Sequence, residues 1–144
     1  MIIGVEFESN NFDSGILKQI FKDFDVTKYT WKVFNEQAWD EDLNNLFENR
    51  LYNADEFIST INKPTDLIML ISIYAFDGST KEINSFEDYI NSNCQIMFYV
   101  VDCNYLDIYC KREEDLHFFY NKAKELKADK VNYITEDNFC RNGF

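Results

Sequence analysis

The stretch from Cys94 to Lys111, CQIMFYVVDCNYLDIYCK, limits what this chain can fold into more than any other. From Gln95 to Val101 nearly every residue is apolar, so both faces of that strand should be buried. From Tyr105 to Cys110 the pattern alternates. Leu106, Ile108 and Cys110 point one way; Tyr105, Asp107 and Tyr109 point the other, the mark of a half-exposed strand. Asp102-Cys103-Asn104 lies between them, and Asp and Asn tolerate the backbone angles of tight turns. A parallel pairing needs a crossover far longer than three residues, so the spacing predicts an antiparallel hairpin.

The other elements follow from the same two periodicities. Ile3, Val5 and Phe7 alternate with Gly4, Glu6 and Glu8, predicting a first strand with one wet face. Asn10 to Gly15 predicts a turn, with Asp13 or Ser14 capping a helix that carries Ile16, Leu17, Ile20, Phe21 and Phe24. Tyr29, Trp31 and Val33 predict a second strand. Asp40-Glu41-Asp42 ahead of Leu43, Leu46, Phe47 and Leu51 suggests a short helix. Asn53 followed by Glu56 fits a capping box opening a helix from about Ala54 to Asn62, which Pro64 prevents from continuing. Leu67 to Phe76 predicts another strand buried on both faces, Asp77-Gly78 a turn, and Ser85 the cap of a short helix through Phe86, Tyr89 and Ile90. Glu113-Glu114-Asp115 opens the longest helix, with Lys122, Lys124 and Lys127 toward its negative end and Leu116, Phe119, Tyr120, Ala123 and Leu126 as its buried stripe. Val131 to Ile134 predicts a last strand, and the tail to Phe144 is expected to be weakly ordered. With no repeat or linker, the chain is expected to be one α+β domain over residues 1–144. Its sheet should have five or six mainly antiparallel strands, packed with three to five helices.

Charge narrows the partners. The net charge is −12, with the excess acid concentrated in the first hundred residues. Phosphate neutralisation needs clustered Lys and Arg, so nucleic acid is excluded as a partner, and an anionic membrane surface would repel the chain. A basic protein remains compatible; so does plain solubility of a cytoplasmic protein. The N-terminus lacks the basic region and long apolar stretch of a signal peptide, and no run approaches the roughly 18 apolar residues of a membrane span. Cytoplasmic location and reduced thiols are therefore expected for Cys94, Cys103, Cys110 and Cys140. Aromatics make up 17% of the chain, and each buried ring removes roughly 150–250 Å² from water, so stability needs neither metal nor disulfide. The same aromatic content fits either an AT-rich genome or selection for an aromatic binding surface.

The segments NSNCQIMFYVVDCNYLDIYCK, VNYITEDN and YNADEF resemble an uncharacterised bacterial family, domain of unknown function 2691. The likeness runs over most of the chain, is strongest from Asn53 onward, and departs around Tyr74–Ser79 and in the Phe139–Phe144 tail. It implies a small bacterial intracellular protein. It brings no activity, cofactor or catalytic residue, so no site is transferred.

Catalytic patterns are sparse. His117, the only histidine, would have to serve any Ser-His-Asp or Cys-His arrangement, yet no G-x-S-x-G element accompanies it, and a place beside the buried stripe of its helix explains it as well. The cysteines are spaced 9, 7 and 30 residues apart without the paired short spacings of a zinc site. Cys110 fits a core-facing position, Cys94 a strand start, and Cys103, at the turn, is the one expected to be exposed and reactive. Asp77-Gly78 alone does not make a calcium loop, and four glycines leave no phosphate-cradling motif. No cofactor or metal is therefore expected.

Two surfaces are candidates for binding protein. The first joins Trp39, Asp40, Glu41 and Asp42 with Asp55 and Glu56, acids beside an aromatic anchor, although a capped helix start with Trp39 in the core would look the same. The second is the outer hairpin stripe Tyr105, Asp107 and Tyr109, unless the last helix covers it. The leading expectation is a non-enzymatic module, of inhibitor or immunity type, that neutralises a basic protein. The alternatives are a small hydrolase or thiol enzyme with a dispersed site, and a homodimer formed through the hairpin face.

Overall fold

The computed structural model of the protein describes residues 1–10 and 15–137. The Asp13 or Ser14 cap, Cys140 and the 139–144 tail lie outside the described residues.

Among the described residues the elements are β1 (Ile2–Glu8), α1 (Ile16–Phe21), a 3-10 turn (Val26–Lys28), β2 (Thr30–Asp40), β3 (Leu51–Tyr52), α2 (Ala54–Ile61), β4 (Thr65–Phe76), α3 (Phe86–Asn91), β5 (Cys94–Val101), β6 (Tyr105–Cys110), α4 (Glu113–Glu125) and β7 (Asp129–Thr135). The seven strands form one sheet in the order β3-β2-β4-β5-β6-β1-β7, every neighbouring pair antiparallel. The α+β class holds, but the strand count is seven rather than five or six, with four α-helices. The strand without a periodic signal is β3: two residues are too few to show alternation, and it exists because Trp31 and Lys32 offer a free edge.

The apolar run of β5 lies at the sheet centre, with Ile96, Met97, Phe98 and Val100 wholly buried. On one face, α1, α2 and α4 contribute Leu17, Ile20, Phe21, Phe57, Leu116 and Phe119 to the main core. Phe21 is its hub, within ring-contact distance of Phe24, Trp31, Phe57, Phe98 and Phe119. Trp31 stacks on Phe57 with centroids 4.2 Å apart. The opposite face is covered at one end only, where Tyr89 of α3 joins Tyr74, Phe76, Met97, Tyr99 and Tyr109, with Ile83 and Phe86 against them.

Local signals set the helix starts. Asn53 and Glu56 form the expected capping box, each side chain accepting from the other's backbone N–H, and the Ser85 side chain accepts from the Asp88 N–H. The acids of α4 sit in its first turn and Lys122 and Lys124 in its last.

Four expectations are corrected. Residues 41–47 form no helix. Asp40 Oδ1 accepts from the N–H groups of Asp42 and Asn44, closing a turn that brings Asn45 back to bridge Trp39. Leu43 is then exposed, while Leu46 and Phe47 are buried along the β2 edge. The first part of β4 is not buried on both faces: Leu67 and Met69 are exposed, because β5 reaches only as far as Ile71. In the 102–104 turn it is Asp102 and Cys103, not Asn104, that take positive φ. Finally, β6 is not half-exposed along its length, since Tyr109 is buried. Among the described residues no helix is long and apolar enough to cross a membrane.

Candidate functional site

The pairing register brings three carboxylates together on the uncovered part of the second sheet face. Glu6 of β1 lies directly opposite Asp107 of β6 on one side and Asn132 of β7 on the other. Glu8, two residues on and so on the same face, lies opposite Tyr105 and Asp129. A concavity of about 240 Å³ is lined by Glu6, Phe7, Glu8, Tyr105, Asp107, Lys130 and Asn132. Directly opposed Cβ atoms in an antiparallel pair are about 4.5–5.5 Å apart, and like charges there destabilise the sheet. The Glu6 carboxyl accordingly binds its proton more tightly than an ordinary glutamate: partial desolvation in the concavity is the larger cause and Asp107 the second. Glu8 is different. Its Oε2 is 3.1 Å from the Lys130 ammonium, an ion pair that holds the lysine's proton more firmly. Tyr105 is half exposed at the rim. The arrangement offers a cationic side chain two closely opposed carboxylates and an aromatic ring beside them.

The sequence candidates separate in space. Tyr105 and Asp107 belong to this concavity; Tyr109 does not, being packed against Tyr99 with ring centroids 6.2 Å apart. The helix expected to cover that stripe, α4, packs on the other face. Trp39 and Asp40 are half-buried at the end of β2, not at a helix start, and Glu41 and Asp42 are exposed in the turn beyond. Asp55 and Glu56 open α2, just after β3, which pairs with Trp31 and Lys32. Eight residues of strand, about 26 Å at 3.3 Å per residue, separate Trp31 from Trp39. The first candidate surface is therefore two separate ones. Glu6, Glu8 and Lys130 were not singled out in the sequence. The alternation in β1 predicts Gly4, Glu6 and Glu8 on a wet face, but of these only Glu6 is exposed; Gly4 and Glu8 are buried, and only the register shows which side chains they face.

A second polar cluster lies at the start of α4. Asp115 is almost wholly buried. It accepts from Lys28 Nζ at 2.7 Å and from the Tyr29 hydroxyl. Arg112 donates to the Tyr29 hydroxyl at 3.2 Å and to Asp77 Oδ2 at 2.9 Å. Burial, then Asp115, pushes the Tyr29 hydroxyl well above its usual range. Both partners of the carboxylate come from the turn before β2, so the cluster ties α4 to that turn and closes the main core.

The thiols divide as expected. Cys94 and Cys110 are buried and Cys103 is partly accessible. Burial pushes the Cys94 thiol up to about 12, against a smaller opposing pull from Lys111, and also raises the Cys110 thiol well above its usual range, with Asp115 as the second cause. His117 is exposed on α4. No group of three or more His, Cys, Asp and Glu side chains is placed to hold a metal ion among the described residues.

Comparison with known proteins adds a family and no chemistry. A family model described as "Protein of unknown function (DUF2691)" matches residues 2–144. An uncharacterised protein of Bacillus subtilis (strain 168), YncE, is 22% identical over 145 residues, covering 96% of this chain and 95% of its own. No solved structure matches the chain.

Proposed function

The chain belongs to the DUF2691 family, and from that premise, which assigns no activity, we propose that it is a non-enzymatic protein-binding module of the bacterial cytoplasm. Its partner is a basic protein, docked on the outer face of β6 and β1, as an inhibitor or immunity-type protein would dock. One observation carries the reading: Glu6 and Asp107 are held directly opposite each other, with Tyr105 at the rim of the same concavity. A Lys or Arg side chain entering the concavity relieves the repulsion and places its stem against the tyrosine ring. The net charge of −12 adds long-range attraction for the same partner. The rival hydrolase or thiol-enzyme reading draws little support, because His117 is exposed and burial keeps the Cys94 and Cys110 thiols protonated.

The test is a pull-down from cell extract at low and moderate salt, with the wild-type chain beside the Glu6→Gln/Asp107→Asn double variant. A basic protein should be recovered by the wild type, less at moderate salt, and lost by the variant. Recovery of no basic protein at either salt, or equal recovery by the variant, overturns the proposal. A second copy seated on this face would set the same carboxylates against one another, so sedimentation of the wild type at high concentration should show monomer.

A further inference from the structure

We propose that the cleft between the β2–β3 edge and residues 80–82 binds a small oxyanion of the phosphate class. This site is distinct from the acidic concavity and on another edge of the sheet. Its volume is about 320 Å³ and it is lined by Lys32, Arg50, Leu51, Thr80, Lys81 and Glu82. The chain has only 14 basic residues against 26 acidic ones, yet three of the basic ones converge here with a single acid among the lining.

Lys32 is the core of the argument. It sits in β2 opposite Leu51 and Tyr74, and its side chain is 10% exposed. Burying an ammonium is unfavourable unless it is well paired. Its ion-pair partner is Glu82 Oε1 at 3.2 Å, from a side chain that is 78% exposed, and the Phe34 ring lies 5.7 Å away. Arg50 and Lys81 line the same cleft, are exposed, and make no ion pair among the described residues. Two unpaired cations beside a buried third repel one another. The carboxylate lining this cleft is Glu82, reaching in from an irregular segment, while Arg50 also borders a neighbouring concavity that holds Glu36 and Glu48. A doubly charged tetrahedral anion satisfies all three at once. Arg50 supplies a planar fork for two of its oxygens, and Lys32, Lys81 and the Thr80 hydroxyl are the further donors. Glu82 then acts as an internal competitor, its carboxylate occupying the place of one oxyanion edge.

Competition gives the test a sign. Inorganic phosphate is titrated into the full chain at constant ionic strength, with chloride as the balancing anion, and heat is read together with backbone amide shifts. The wild type should bind saturably at millimolar phosphate or below, with shifts centred on residues 32, 50–51 and 80–82. Glu82→Gln should tighten binding several-fold. Arg50→Gln/Lys81→Gln should weaken it at least about tenfold; both residues are exposed, and an unchanged melting temperature confirms that the variant is folded. No saturable binding by the wild type overturns the proposal. So does equal binding by the Arg50/Lys81 variant, or weaker binding by Glu82→Gln, which would make the Lys32–Glu82 pair purely structural.

Discussion

Val100→Asp at the sheet centre tests the fold most directly. Val100 has no exposed surface and lies between Ile71 of β4 and Leu106 of β6. Losing the valine's burial costs about 1.5–3 kcal/mol. A carboxylate there would neutralise rather than stay charged, with a folded pKa of about 8–9 against about 3.9 in the unfolded chain. At pH 7 that protonation costs about 4 kcal/mol, and the neutral acid still leaves a polar group without partners, for about 1–3 kcal/mol more. The total, about 7–10 kcal/mol, equals or exceeds the whole stability of most domains. The variant should show no cooperative urea or thermal transition at pH 7. The sign of the pH dependence is also set. Because the folded pKa is raised, the stability linked to this group is present below about pH 4 and lost as pH rises. The penalty falls by about 3–4 kcal/mol between pH 7 and pH 4, so folded signal absent at pH 7 should return on acidification, a return that Val100→Ala would not show. A melting temperature near that of the wild type at pH 7, or a pH dependence identical to Val100→Ala, would refute the placement of β5.

Three further outcomes are expected. Asp115→Ala removes the acceptor shared by the Lys28 ammonium and the Tyr29 hydroxyl; with Lys28 partly solvated and Arg112 still bonded to Tyr29, it should cost about 1.5–3 kcal/mol in urea unfolding, against about 1 for Tyr29→Phe, and a loss no larger than the latter would show the carboxylate to be idle. Glu6→Gln should stabilise the fold at pH 7 by a few tenths of a kcal/mol, because the ionised form is opposed by partial desolvation first and by Asp107 second, both screened at an exposed position. The gain should vanish toward pH 4, where protonation of Glu6 achieves the same relief, and a gain that grows on acidification would contradict the pairing. Iodoacetamide on the native protein should label Cys103 well before Cys94 and Cys110, as read by peptide mapping; equal rates would mean that the two strand thiols are not buried.

What the sequence shows and what it hides divide by range. The Asn53–Glu56 box and the Ser85 cap are legible because each closes within three residues. The β5 run is legible because burial on both faces leaves no polar residue to conceal it. Residues 43–51 mislead because Leu43, Leu46 and Phe47 share helical spacing by coincidence, while the backbone turns back on β2 through Asp40 N–H to Asn44 O and Leu46 N–H to Ala38 O. Asp115 looks like one more acid favoured by the positive end of a helix, and its burial follows from partners 87 and 86 residues away. Glu6 facing Asp107 is a matter of register, and Lys32 beside Arg50 and Lys81 depends on how the segments flanking β3 and β4 fold back onto β2. Both candidate sites depend on the strand order, which no local pattern contains.

The position of β1 between β6 and β7 bears on how the chain is made. Both partners of β1, at Tyr105–Tyr109 and Asp129–Thr135, come later in the chain, so it waits for about 100 residues of translation, roughly 5–20 s at 5–20 residues per second. Through that interval Ile3, Val5 and Phe7 have no sheet to enter. Glu6 and Glu8, interleaved with them, act as charged gatekeepers against pairing with another nascent chain. The carboxylates proposed to receive a partner would thus serve first on the ribosome, keeping a strand single until its slot exists.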